Sequence, residues 1–227
     1  MAIYQLDDEE IVFPEPSLGE PDGLLAVGGD LSPKRLLTAY IHGIFPWYNE
    51  LPILWWSPDP RMILLPEEFK CSKSLKRLIN SGKFTVKLDS LFSRVIDQCA
   101  SIRRTDEIGT WINTEMKMAY KELYKLGFAH SVEVLHNKHL VGGLYGISIG
   151  GVFFGESMFH TETDASKVAL YYLCKWLALN NFNLIDCQMY TPHLESLGAK
   201  EISRKEYLKL LRISINSRET LIGKWTF

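Results

Sequence analysis

The chain has no apolar run near the roughly 18–20 residues that a membrane-spanning helix needs. It also lacks the basic-then-apolar opening of a secretory signal, because its first stretch, MAIYQLDDEE, is acidic. Cysteine is scarce: Cys71, Cys99, Cys174 and Cys187 lie far apart and form no C-x-x-C pair. Neither a zinc site nor a disulfide framework is expected, and reduced thiols in the cytoplasm are. The markers of several enzyme classes are missing as well. There is no glycine-rich P-loop and no dinucleotide fingerprint, and no G-x-S-x-G elbow or H-E-x-x-H helix. The six histidines are scattered, so a Ser-His-Asp arrangement finds no support, and His130, alternating in an apolar strand, is read as structural. No internal repeat or low-complexity tract is present.

What is present is ordinary globular material: 227 residues, 46% hydrophobic and 23% charged, enough for one good core. The length allows one domain, or one domain with a small lobe. The net charge of −2 hides an uneven distribution. Residues 1–60 hold two basic and ten acidic side chains, residues 61–105 hold ten basic and four acidic, and the remainder holds thirteen of each. A basic middle is either a solvated face or a surface for a polyanion, with the acidic lobe turned away.

Residues 11–31 are rich in Pro and Gly and read as loop. Ser32-Pro33 then opens a helix, with Ser as cap and Pro in the first turn. Leu36, Leu37 and Tyr40 give it an apolar face, and Gly43 ends it. Ile44 to Pro60 reads as an aromatic-rich connection, which puts a boundary near Pro60. Beyond it, strands are expected over Arg61–Leu65 and Phe84–Leu88, with a basic helix from Ser72 between them and another helix from Asp89. A helix over Thr114–Leu126 shows Met116, Ala119, Tyr120 and Leu123 on one side and stops at Gly127. Ala129–Leu135, His139–Ile147 and Val152–Met158 read as antiparallel neighbours with tight turns. A helix over Ala165–Asn180 with Asp164 as its cap, a strand over Leu184–Met189 and a last helix from Ser203 complete an α+β order.

A few strings carry chemistry. Glu156 stands inside an apolar strand and needs a partner, either an internal hydrogen-bonding group or a cationic ligand. Asp186 and Gln188, two apart in a strand, should present to one face, either as a strand-end capping pair or as groups that orient a substrate. Trp47, Trp55 and Trp56 in the connection, and Trp111 ahead of a helix, serve either packing or a cleft.

Taken in order, the strings Glu20–Pro33 (EPDGLLAVGGDLSP), Gly43–Trp47 (GIFPW), Trp55–Arg61 (WWSPDPR), Gly109–Ile112 (GTWI), Val141–Gly146 (VGGLYG), Gly155–Phe159 (GESMF), Ala165–Lys167 (ASK), Ile185–Gln188 (IDCQ) and Ser196–Ala199 (SLGA) resemble the bacterial leucyl/phenylalanyl-tRNA–protein transferase family. The likeness runs from about residue 13 to 210, and the segment after Arg212 carries none of it. It implies a small N-terminal lobe over 1–60 and, over 61–227, an acetyltransferase-like (GNAT) domain with a mostly antiparallel sheet flanked by helices. It implies a monomer that takes Leu, Phe or Met from aminoacyl-tRNA, without metal or other cofactor. The acceptors would be proteins beginning with Arg or Lys, which the transfer marks for degradation. By the same likeness Trp47, Trp111, Leu144 and Phe153 would line the slot for the amino-acid side chain, with Leu144 standing where some relatives have Met. Glu156 would face the acceptor's cationic residue. Asp186 and Gln188 would sit beside the reacting amine, Asp186 either orienting Gln188 or taking a proton late. Lys73, Lys76 and Arg77 on the basic helix would meet the tRNA, though Asn80 and Ser81 make that helix less basic than in some relatives. Two other readings compete: an acyl-CoA-dependent N-acetyltransferase, which needs a glycine-rich turn ahead of a helix, and a non-enzymatic tRNA-binding module, which needs none of Glu156, Asp186 and Gln188.

Overall fold

The computed structural model describes residues 3–7, 9–101 and 111–227. Gly109 and Thr110 of the GTWI string, and Arg103 and Arg104 of the basic stretch, lie outside them.

Near the N-terminus, β1 (Tyr4–Leu6), β2 (Leu24–Gly28), α1 (Pro33–Ile41), β3 (Phe45–Pro46) and β4 (Leu54–Trp56) follow one another. The strands form one sheet in the order β1-β2-β4-β3. Residues 11–31 are thus not all loop, and residues 44–60 are not merely a connection. Strands of two to five residues punctuated by Pro and Gly have too few positions to display a period of two. Pro46 is tolerated because β3 is an edge strand, where a missing N–H breaks no ladder bond. At α1, the Ser32 hydroxyl accepts from the Arg35 N–H and Pro33 occupies the first turn, as the sequence indicates.

The second sheet is built from β5 (Arg61–Leu64), β6 (Thr85–Leu88), β7 (Ala129–His136), β8 (His139–Ile149), β9 (Val152–His160), β10 (Leu184–Gln188) and β11 (Lys200–Ile202). Its order is β11-β5-β10-β9-β8-β7-β6, antiparallel except between β9 and β10. The helices are α2 (Lys73–Asn80), α3 (Phe92–Ser101), α4 (Thr114–Lys125), α5 (Ala165–Leu179), α6 (Pro192–Ser196) and α7 (Arg204–Ile215). Helix α5 crosses from β9 to its parallel neighbour β10. It covers one face of the sheet together with Leu75 of α2. The other face packs against α3, α4 and α7 and is continuous with the N-terminal sheet, so that Tyr40, Trp55, Phe92, Tyr120 and Phe154 share one core. This is the expected α+β arrangement of a mostly antiparallel sheet flanked by helices.

One local reading changes. Asp164 does stand ahead of α5, but its side chain caps nothing and pairs with Lys167 at 2.7 Å instead. After α7 the chain runs to Phe227 without helix or strand, yet it is tied down. Gly150 N–H donates to Thr220 Oγ1 at 2.9 Å, and Gly223 N–H donates to the Gly127 carbonyl at 3.1 Å.

Gly127 makes that last contact possible. Its φ of +82° suits glycine, and a Cβ there would collide with the backbone of Gly223. Gly127→Ala is expected to cost about 1–3 kcal/mol, read as a lower urea midpoint. A midpoint equal to that of the parent would show that the tail does not press on this turn.

Candidate active site

A pocket of about 670 Å³ opens among β8, β9, β10, α5 and the N-terminal sheet. Trp47, Trp111, Leu144 and Phe153 line it together, and Leu170 and Leu173 of α5 complete the apolar wall. The two α5 leucines escaped the sequence reading because nothing separates a pocket-lining leucine from a core one on an apolar helix. Trp55 and Trp56 do not reach the pocket. Trp55 is fully buried and donates to the Gly28 carbonyl at 2.9 Å. Trp56 donates its Nε1–H to the Trp47 carbonyl at 2.7 Å and so fixes the Trp47 backbone. Phe153 lies against Gly146, where a Cβ would come within 2.6 Å of the ring.

The polar end of the pocket is organised around Glu156, which is 8% exposed. Its partners are internal. Tyr40 of α1 donates to Oε1 at 2.7 Å, Tyr120 of α4 donates to Oε2 at 2.7 Å, and the Gln188 amide donates to Oε1 at 2.9 Å. The two hydroxyls also touch each other at 2.6 Å. Burial pushes the Glu156 carboxyl up to about 7; these three donors pull it down, and the Asp186 charge adds to the rise. The sequence showed Tyr40 and Tyr120 only as members of apolar helix faces. Their hydroxyls find Glu156 across 116 and 36 residues of chain, which no local pattern encodes.

Asp186 is elsewhere. It is fully buried and does not line the pocket, whereas Gln188 does. Arg61 grips it with Nε–H on Oδ1 at 2.8 Å and Nη2–H on Oδ2 at 2.7 Å, and Tyr207 of α7 donates to Oδ2 at 2.8 Å. The expectation that Asp186 and Gln188 share a face is revised by a break in strand register between them. Gln188 takes a φ of +64°, unusual for a non-glycine residue, and its backbone N–H donates to Asp186 Oδ1 at 2.9 Å. Asp186 therefore holds the Gln188 backbone, while Glu156 holds its side chain.

Of the remaining polar lining, the buried Ser166 hydroxyl lies 3.3 Å from His160 Nδ1, a long contact. Burial, reinforced by the Asp186 charge, pushes the Cys187 thiol far above its usual range, so it stays protonated. Burial, with Lys167 and His160 nearby, lowers the pKa of His193, which favours its neutral form. Away from the pocket, Lys73, Lys76 and Arg77 are exposed on α2, and Lys76 reaches the Tyr171 hydroxyl of α5 at 3.2 Å. Arg61, by contrast, is spent in the buried ion pair and adds nothing to that basic surface.

An apolar slot beside a positioned amide and carboxylate is an arrangement that can align two substrates for group transfer. The chain belongs to the leucyl/phenylalanyl-tRNA protein transferase family, whose main domain matches residues 63–212 and whose N-terminal domain matches residues 29–59. It is thus an aminoacyltransferase. A leucyl/phenylalanyl-tRNA–protein transferase of Anaeromyxobacter sp. (strain Fw109-5) is 55% identical over 99% of this chain and 95% of its own length. The enzyme of that name from Desulfatibacillum aliphaticivorans is 52% identical over 100% of this chain and 97% of its own. Among solved structures, a GCN5-related N-acetyltransferase from Kribbella flavida aligns over 78% of this chain and 63% of its own, with 10% identity and a TM-score of 0.41.

The buried carboxylate makes stability depend on pH. Glu156 binds its proton up to about 7 in the folded state, against an ordinary value of 4.5. Between those values the folded state holds a proton that the unfolded state has lost, so this residue's contribution to stability falls as pH rises. Glu156→Gln carries no such proton. The unfolding free energy of the parent minus that of Glu156→Gln is expected to drop by about 2–3 kcal/mol between pH 5 and 8. Denaturant melts of both proteins at the two pH values measure it, and a constant difference would contradict a raised Glu156.

Proposed function

We propose that this aminoacyltransferase moves leucine or phenylalanine, and methionine as a third donor, from aminoacyl-tRNA to the α-amine of proteins that begin with Arg or Lys, marking them for degradation. The observation that carries the reading is the Gln188 amide donated to Glu156 at the foot of an apolar slot. With one N–H bonded to Glu156 and so fixing the amide's orientation, the amide offers its carbonyl oxygen to a substrate. An amide has no useful basicity, but it can accept a hydrogen bond from an amine and aim it. Little base strength is needed, because an α-amine titrates at about 7.7–8.0. Aligning amine and ester carbonyl can itself supply about 7–11 kcal/mol.

In this reading Trp47, Trp111, Leu144 and Phe153 hold the donor side chain by burial. Glu156 serves the acceptor. A carboxylate has about four lone-pair sites; Tyr40, Tyr120 and Gln188 occupy three, which leaves one for a cationic side chain. Asp186 is a positioning residue that acts through the Gln188 backbone, and the neighbouring ribose hydroxyl of the substrate relays the proton, taking one from the attacking amine as it gives its own to the leaving ribose oxygen. Lys73, Lys76 and Arg77 meet tRNA phosphates. Residues 1–60 act as a small lobe on the catalytic domain 61–227, in a monomeric cytoplasmic enzyme that needs no cofactor. The acyl-CoA alternative finds no support in the turn before α5, Thr161–Asp164, which has no glycine.

The direct test incubates the protein with labelled Leu-tRNA and a peptide starting with Arg. Label is expected in the peptide, and acetyl-CoA is expected to be left untouched; an unlabelled peptide would refute the activity. Glu156→Gln is expected to lower kcat/KM for Arg- and Lys-initiated peptides about ten- to a hundredfold, the scale of one charge-assisted hydrogen bond. Its Leu-tRNA affinity should stay that of the parent. Replacing Lys73, Lys76 and Arg77 together with Ala is expected to weaken tRNA binding and to flatten its salt dependence by about 0.7–0.9 in slope per lost phosphate contact. An unchanged slope would remove α2 from the tRNA surface.

A further inference from the structure

The match to the family's main domain ends at residue 212, although relatives align through the tail, and the chain beyond α7 forms neither helix nor strand. Trp225 in that tail is nevertheless only 4% exposed. Its indole is the middle ring of a stack. His130 lies 3.7 Å away at an interplanar angle of 9°, and Trp176 lies 4.0 Å away at 22°. The backbone is fixed too. Trp225 N–H donates to Asp89 Oδ2 at 2.7 Å, the carboxylate that also binds His130 Nδ1 at 2.8 Å and the Ser131 N–H at 2.7 Å. Trp176 Nε1–H donates to the Thr226 carbonyl at 2.9 Å. A ring stacked on both faces and held at its backbone has one position, and close-packed surroundings transmit that position to whatever it touches.

What it touches is a wall of the pocket. The Trp225 and Phe153 ring centroids are 6.0 Å apart at 43°, and both side chains belong to one buried cluster. Phe153 lines the pocket and Trp225 does not. The Phe153 ring therefore stands between the cavity and the tail, with the bare backbone of Gly146 against it as well.

We propose that Trp225 is a positioning residue for the transfer reaction: through Phe153 it sets the depth of the donor slot, and with it the relative use of leucine and phenylalanine. The inference rests on the reading of this pocket as the donor slot. Leucine and phenylalanine differ in bulk, and a difference of one methylene in an apolar pocket already changes discrimination by about 10–200-fold. A small retreat of one aromatic wall is enough to shift the balance between them.

The test is a competition between Leu-tRNA and Phe-tRNA for one Arg-initiated peptide, run on the parent, Trp225→Ala, Trp225→Phe and Trp111→Ala. In Trp225→Ala, Phe153 backs into the vacated space and the slot deepens. The ratio of kcat/KM for Phe over Leu is expected to rise about five- to tenfold, with the peptide KM unchanged. Trp225→Phe restores a ring and is expected to shift the ratio about twofold. Both donors compete on the same sample, so the ratio does not depend on the folded fraction, which a purely structural role would alter. Where Trp225→Ala does not fold, Trp225→Phe decides. A parental ratio in the folded Trp225 variants, while Trp111→Ala changes donor use, overturns this inference alone. Unchanged donor use in Trp111→Ala overturns the donor-slot reading and the inference with it.

Discussion

Arg61 and Asp186 form the contact on which the site depends. The guanidinium meets the carboxylate in a two-pronged pair of 2.8 and 2.7 Å with both side chains buried. It lies 4.7 Å from the Phe45 ring of the N-terminal sheet and 4.6 Å from the Tyr207 ring of α7. Taking two charges out of water costs several kcal/mol each, and mutual attraction offsets this only when the remaining lone pairs are satisfied. On the carboxylate they are, because Tyr207 O–H and Gln188 N–H complete it, whereas Arg61 Nη1 has no hydrogen-bond partner among the described residues. A buried pair of this kind is weak evidence for stability. Its geometric consequence is stronger: β5, α7 and the N-terminal sheet converge on one point, and that point fixes the Gln188 backbone at φ +64°.

The second carboxylate ties the two parts of the chain together in another way. Glu156 on β9 is reached by Tyr40 from α1, Tyr120 from α4 and Gln188 from β10. The N-terminal residues thus contribute three side chains to the pocket region, with Phe45 and Trp47 as wall and Tyr40 as donor to the carboxylate. The shared core of Leu36, Tyr40, Trp55, Phe92 and Tyr120 makes that possible, because a donor must be placed to within a few tenths of an ångström to hold a short hydrogen bond.

Local patterns made the second sheet legible except for the short strand β11, which the sequence reading did not identify. Three closely spaced strands with Asn-Lys and Gly-Gly turns, and helices with clear caps at Ser32, Ser72 and Ser203, stand in the structure within a few residues of where the sequence puts them. The N-terminal strands were not legible, because two to five residues among prolines and glycines show no period. The polar chemistry was half legible. That Glu156 must have partners follows from the cost of a lone buried charge, but which partners depends on α1 and α4 meeting over the middle of β9. The direction of Asp186 was misread for a sharper reason: side chains two apart share a face only in a regular strand, and the register break after Asp186 removes that premise. The tail beyond residue 215 was opaque, since a tryptophan in an irregular segment gives no sign of the stack that will receive it.

The two carboxylates flanking Gln188 end in opposite electrostatic situations. Asp186 is matched by a guanidinium, whereas the donors around Glu156 are all neutral. Neutral donors do not offset the loss of water, so burial dominates and Glu156 titrates near 7. On the proposed reading this has a use. A cationic acceptor side chain supplies the counter-charge that the fold withholds, so its arrival and the ionisation of Glu156 favour each other, as linkage requires. The acceptor's own α-amine loses its proton over a neighbouring range, about 7.7–8.0. Both changes run in the same direction with pH. The reactive combination of ionised Glu156 and free amine therefore accumulates together above neutrality, and Gln188, held between a fixed backbone and that carboxylate, is the group placed to bring the amine into line.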